Sequence, residues 1–228
     1  MVRKQWAEWR AFIIFFGLVL LPVKSSLADW NWVPTGSMNP TIVEGDLVYV
    51  NKAAYDLRIP LTMQRIHRWA DPANGDIVVL FSPEDEVRLV KRVIGIPGDR
   101  LEMRNNVLLL NGEPLGYGPL SDAATEDLQE GMRAVSVFAE EDLAGHRHAV
   151  MSLLHANPRG RDFPMVVVPE GKYFVMGDNR DNSKDSRVFG FADREAIVGR
   201  AQAVIVSFNK LDRYQPRFGR FFSRLDDL

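Results

Sequence analysis

Asp76-Ile77-Val78-Val79-Leu80-Phe81 and, a few positions on, Val87-Arg88-Leu89-Val90-Lys91-Arg92-Val93-Ile94 decide how this chain folds. Both runs are short, rich in β-branched residues and bounded by Gly, Pro, Asp or Asn, the composition of strands in a sheet. The same texture recurs at Asp46-Leu47-Val48-Tyr49-Val50, Met165-Val166-Val167-Val168, Lys172-Tyr173-Phe174-Val175-Met176 and Ala201-Gln202-Ala203-Val204-Ile205-Val206. Between Glu102 and Leu115, Asn105-Asn106 and Asn111-Gly112 interrupt apolar runs, which predicts two tight hairpin turns in series. No long helical pattern alternates with these strands, which argues against a βαβ sheet. Residues 52–70 fit a short helix or an irregular loop equally well.

On strand 87–94, Leu89, Lys91 and Val93 share one face and Val90, Arg92 and Ile94 the other, so each cation sits between apolar neighbours. Only lysine can lose its proton near neutral pH. With an ordinary pKa of about 10.4, roughly 0.4% of a lysine is neutral at pH 8, and burial can lower that pKa by several units. Lys91 is therefore a candidate base, and Ser37, in Pro34-Thr35-Gly36-Ser37-Met38-Asn39-Pro40-Thr41, a candidate nucleophile that needs one. The histidines are weaker candidates. His67 lies in a basic polar stretch, and His146, His148 and His155 fall in a region read as exposed. His146 and His148 could share a strand face, but no third metal ligand accompanies them.

Ahead of Ser37, Ala11 to Val23 is a run of thirteen uncharged residues preceded by Arg3, Lys4 and Arg10. Trp6 and Trp9 on one side, and Trp30 and Trp32 on the other, suit the headgroup region, so Arg10 to Asp29 is about one bilayer long. The basic start predicts a cytoplasmic N-terminus and a catalytic part outside. A cleaved secretory signal is the competing reading, since Ser26-Leu27-Ala28 is a small-x-small pattern.

The remaining ~200 residues suffice for one substantial core with a small insert. A net charge of -2 gives no reason to expect nucleic acid, and the absence of cysteine excludes disulfides, thiol catalysis and Cys-based zinc sites. Residues 116–164 are more acidic and turn-prone than their flanks, which suggests an exposed insert running from about 100 to 170, or simply long loops on one domain.

A third polar segment, Gly177-Asp178-Asn179-Arg180-Asp181-Asn182-Ser183-Lys184-Asp185-Ser186-Arg187, follows an apolar strand. It is not a calcium loop. Arg180 occupies a ligand position in one register, and the other lacks the glycine and the terminal acid that the motif requires. Taken in order after an apolar N-terminal segment, the blocks 34–41, 89–99 and 177–187 closely resemble those of the bacterial type I signal peptidases, Ser/Lys proteases that remove leader peptides from exported proteins. The likeness extends over about residues 30–115 and 165–207.

The resemblance implies a mainly β fold: an antiparallel β catalytic core with an inserted smaller β subdomain, preceded by one N-terminal transmembrane helix. The corresponding boundaries are 1–29 for the cytoplasmic start and anchor, 30–99 with 171–209 for the core, 100–170 for the insert and 210–228 for a C-terminal tail. It implies Ser37 as nucleophile, Lys91 as general base, and an oxyanion hole from the Ser37 N–H and the Thr35 hydroxyl. Ser183 would orient the lysine amine, while Gly177, Asp178, Asp185 and Arg187 would support the site. No cofactor or metal is implied. The expected partners are preproteins cut after small residues (Ala-x-Ala-type sites) and membrane lipid, with no nucleic acid and a monomeric state. The expected location is the bacterial inner membrane, single-pass, with the catalytic domain on the periplasmic side. A specialised Ser/Lys peptidase for one conjugation or pilus protein, and a tethered module that binds leader peptides without cutting them, are the alternatives.

Overall fold

A computed structural model describes residues 9–10, 14–16, 23–62, 64–155 and 160–228. In chain order the strands are β1 (Ala28–Trp32), β2 (Asp46–Asn51), β3 (Asp56–Arg58), β4 (Arg65–Arg68), β5 (Ile77–Phe81), β6 (Arg88–Gly95), β7 (Arg100–Arg104), β8 (Val107–Leu110), β9 (Glu113–Pro114), β10 (Gly116–Gly118), β11 (Ser136–Leu143), β12 (His146–Leu153), β13 (Phe163–Val167), β14 (Lys172–Met176), β15 (Ala192–Asp193), β16 (Ile197–Asn209) and β17 (Gln215–Pro216). The expected mainly antiparallel β fold is observed, and helices among the described residues are short.

One eight-stranded sheet runs β1-β2-β16-β5-β6-β14-β15, with β17 pairing β16. β6 lies in its interior, and its last five residues are buried. The alternation of β6 explains why both of its sides read as apolar. Val93 packs with Val78, Leu80, Tyr173, Val175 and Ile197, whereas Ile94 packs with Leu101, Met103, Leu108, Phe174 and Met176. Lys91 and Arg92 are thus threaded through the middle of a two-sided core.

Residues 100–167 form two further sheets, β13-β7-β8-β9 and β10-β11-β12. The predicted turns at Asn105-Asn106 and Asn111-Gly112 join β7, β8 and β9. Asn105, Asn106 and Asn111 all adopt positive φ, which asparagine tolerates better than most residues. The stretch 52–70, open in the sequence, folds as a 3-10 turn over Lys52–Ala54 and the hairpin β3–β4.

Most of the apolar segment 11–23 lies outside the described residues. Among the described residues no helix is long and apolar enough to cross a membrane. The far end of the expected span differs from the sequence reading. Val23–Leu27 is π-helical, and Ala28 and Asp29 already belong to β1, paired with Asn51 and Val50. Asp29 is buried and ion-paired to Lys52 and Arg88, so it serves the sheet rather than a helix end.

Candidate active site

Ser37 sits in a turn directly after β1. Asn39 N–H donates to Gly36 O at 3.1 Å, Ile42 N–H donates to Met38 O at 2.9 Å, and the buried side chains of Met38 and Ile42 root the turn in the core. Gly36 is crowded inside the turn. A Cβ there would lie 2.5 Å from Asn39 Nδ2 and 2.7 Å from Glu44 Oε1, so any larger residue displaces those two side-chain ends.

Lys91, 54 positions away, reaches this turn from β6: its Nζ is 2.7 Å from Ser37 Oγ and donates to Val90 O at 3.0 Å. The lysine is 2% exposed. Burial pushes its amine down to about 8, opposed by the negative charges of Asp185 and Asp178 and helped by Arg187. A base of that strength beside a serine hydroxyl is near the optimum for proton transfer around neutral pH.

The segment 177–187 packs against both groups. A Cβ on Gly177 would fall 2.3 Å from Ser37 O and 2.4 Å from Ser183 Oγ, so glycine permits the close approach of the two serine-bearing loops. Asp185 accepts from Gly177 N–H at 3.0 Å and is gripped by Arg187 through Nε at 2.9 Å and Nη2 at 2.7 Å. Burial alone would raise the Asp185 carboxyl, but Arg187 and the Gly177 N–H hold it below the usual carboxylate range. Asp178 receives Arg92 Nε and Nη2, each at 2.8 Å, and the Thr41 hydroxyl at 2.6 Å. It too is held low, with Arg92 outweighing its burial.

Ser183 behaves differently from the expectation that its hydroxyl bonds the lysine amine. Its Oγ is buried over Gly177 and close enough to the Asp185 carboxylate to help hold it low, and the second contact of Lys91 Nζ is Val90 O. Thr35 is exposed, two positions before Ser37.

Several contributors were not legible in the sequence. Arg180 is buried and forks onto Glu141 of β11 at 2.6 and 2.9 Å, and Tyr117 donates to the same carboxylate at 2.7 Å. Burial would raise Glu141, yet Arg180 and His148 hold it well below the usual range. His148, read as exposed, is buried with Nε2 3.3 Å from Glu141 Oε1, because the inward face of β12 packs on this pair. From the far end of the chain, Arg220 donates to Thr41 O at 2.8 Å and to Asp46 Oδ2 at 2.7 Å, and Arg217 donates to Glu44 O at 3.0 Å. Phe218–Arg220 is a single 3-10 turn, and Leu225 joins the core beside Met38 and Ile42. A clustering of Arg with scattered Asp was the only signal in the sequence for these pairs.

The family described as "Signal peptidase, peptidase S26" matches residues 6–206 of this chain. Signal peptidase I of Pseudomonas fluorescens is 35% identical, the match covering 83% of this chain and 69% of the relative. Signal peptidase I of Rickettsia massiliae is 34% identical over 86% of this chain and 78% of the relative. A crystal structure of a signal peptidase I from Enterococcus faecalis, 31% identical, covers 57% of this chain and 97% of that one with a TM-score of 0.38.

Proposed function

Since the chain belongs to the signal peptidase family, peptidase S26, and is a serine endopeptidase that hydrolyses peptide bonds, we propose that it removes signal peptides from preproteins using Ser37 as nucleophile and Lys91 as general base. The observation that carries this reading is the 2.7 Å separation of Lys91 Nζ and Ser37 Oγ, with the amine 2% exposed.

In the proposed cycle, neutral Lys91 accepts the proton of Ser37 Oγ as that oxygen bonds to the scissile carbonyl carbon. The resulting oxyanion rests on the Ser37 N–H and the Thr35 hydroxyl. The lysinium then gives its proton to the departing amine, breaking the peptide bond and leaving an ester on Ser37. Water, deprotonated by the same lysine, hydrolyses that ester and restores the serine. Ser183, with its buried hydroxyl in the loop that packs on Ser37, is assigned the task of accepting an N–H of the Lys91 amine once Ser37 Oγ is bonded to the carbonyl carbon. The Asp185–Arg187 and Asp178–Arg92 pairs hold that loop in place.

The preferred cut follows small residues at the first and third positions. The apolar segment 11–23 anchors the enzyme by a single pass ending before Ala28, with the basic start in the cytoplasm. Arg3, Lys4 and Arg10 support that orientation, and Trp30 and Trp32, 45% and 55% exposed, suit the headgroup region just past the span.

Cleavage of a purified preprotein in detergent, with the new N-terminus of the product sequenced, tests the chemistry. Wild type should cut after the small residue, and Ser37→Ala and Lys91→Met should leave the preprotein intact. Retained cleavage by either variant refutes the mechanism. Thr35→Val should slow kcat about a hundredfold and leave measurable turnover. For the anchor, the full chain should float with phosphatidylethanolamine–phosphatidylglycerol vesicles, and a purified N-terminus starting at Asp29 would contradict it.

A further inference from the structure

The peptide group joining Gly36 to Ser37 is held from one side by two donors. Gly36 O accepts from Asn39 N–H at 3.1 Å and from Asn179 Nδ2 at 3.0 Å, while Asn179 N–H donates to Ser37 O at 3.2 Å. Asn179 therefore touches both carbonyls that flank the Ser37 residue. In a trans peptide the C=O and N–H point in opposite directions, so fixing the Gly36 carbonyl aims the Ser37 N–H away from the Asn179 amide. A donor to the carbonyl also polarises the peptide and strengthens its N–H.

Asn179 is itself immobilised. It is fully buried, and its neighbours on either side are clamped, Asp178 by Arg92 and Arg180 by Glu141. Main-chain bonds from Met151 N–H to Asp178 O and from Arg180 N–H to Met151 O stitch it to β12.

We propose that Asn179 is a positioning residue for oxyanion stabilisation: its Nδ2 bond to Gly36 O sets the plane of the Gly36–Ser37 peptide and so directs the Ser37 N–H at the developing oxyanion. This rests on the reading of Ser37 as nucleophile given above. Asn179 acts through Ser37 and touches neither the substrate nor the lysine amine.

Asn179→Leu removes the donor but keeps a side chain branched at Cγ, and Asn179→Asp keeps the shape with an acceptor facing the carbonyl. Each is compared with wild type for kcat and KM on a preprotein. Binding is measured for two probes: a peptide aldehyde, which closes a tetrahedral adduct on a serine, and an uncleavable peptide of the same sequence. In both variants kcat should fall about tenfold or more, less than on deleting a donor outright. KM should stay within about twofold, as expected when only transition-state binding is lost. Aldehyde affinity should fall with kcat, the uncleavable peptide should bind as before, and the acid limb of the pH profile should stay where wild type has it. A merely structural role would weaken both probes together. An unchanged kcat, equal losses for the two probes, or a displaced limb overturns the proposal, and if the leucine variant does not fold the aspartate variant is judged by the same criteria. Ser37→Ala and Lys91→Met run alongside. If they remain active, the Ser/Lys reading and this proposal fall together; if they are inactive while the Asn179 variants keep full kcat, this proposal alone fails.

Discussion

Lys91 and Arg92 are consecutive cations in the interior of one strand, and the two sides of β6 treat them in opposite ways. On the side of Arg92 the fold supplies a two-oxygen partner, Asp178, plus Gly75 O at 2.9 Å, so each of the three guanidinium nitrogens has an acceptor. On the side of Lys91 it supplies a hydroxyl and one carbonyl, and no carboxylate among the described residues is within ion-pair distance. The nearest carboxylates are already engaged: Asp185 by Arg187 and Asp178 by Arg92. A buried cation can be stabilised or left able to shed its charge, and the two faces do one each. Burial is what keeps the Lys91 amine weak, and engaging Asp185 and Asp178 with arginines leaves neither carboxylate as its direct partner.

The largest test of this contrast is on activity. Lys91→Met should lower kcat by roughly 10³- to 10⁴-fold, the range for losing a general base, whereas Arg92→Lys, which keeps a charge beside Asp178, should cost far less in the surviving folded fraction. Comparable losses from the two would erase the distinction. Next comes stability. Arg92→Met leaves Asp178 buried without its counter-ion and should destabilise by about 3–5 kcal/mol in urea unfolding.

Lys91→Met should do the reverse. The unfolded chain holds a proton that the folded chain has released between pH about 8 and 10.5, so wild-type stability rises with pH through that window. Below pH 8 the variant should be more stable than wild type by up to roughly 3 kcal/mol, a gain that disappears by pH 10.5. A variant less stable than wild type at pH 6 would show that Lys91 is a paired cation after all. The finest test is the acid limb: kcat should rise about tenfold per pH unit to a midpoint near pH 8 and then level off. A midpoint above pH 10 would mean that the amine is solvated.

The strand pattern around these cations was legible in the sequence because it is local. Runs such as 76–81 and 87–94 appear in the structure as Ile77–Phe81 and Arg88–Gly95 with little change of boundary. Lys91 could be singled out from its apolar neighbours on one face, since strand alternation acts over two residues. What could not be read is which distant charge satisfies which. Arg92 meets Asp178 across 86 positions and Arg180 meets Glu141 across 39, pairings set by loop paths that leave no periodic trace. The same blindness put His148 on the surface and gave the Ser183 hydroxyl a bond to the lysine amine that the structure replaces with Val90 O. The start of β1 illustrates the opposite failure. Flanking tryptophans and a helical rise per residue ran the span on to Asp29, but a buried carboxylate facing Lys52 and Arg88 belongs to the sheet.

Arg220 grips Thr41 O and Asp46 from 174 or more positions downstream. During synthesis the turn that bears Ser37 emerges well ahead of this brace, so the bonds that tie its far side down can close only after Arg220 has left the ribosome.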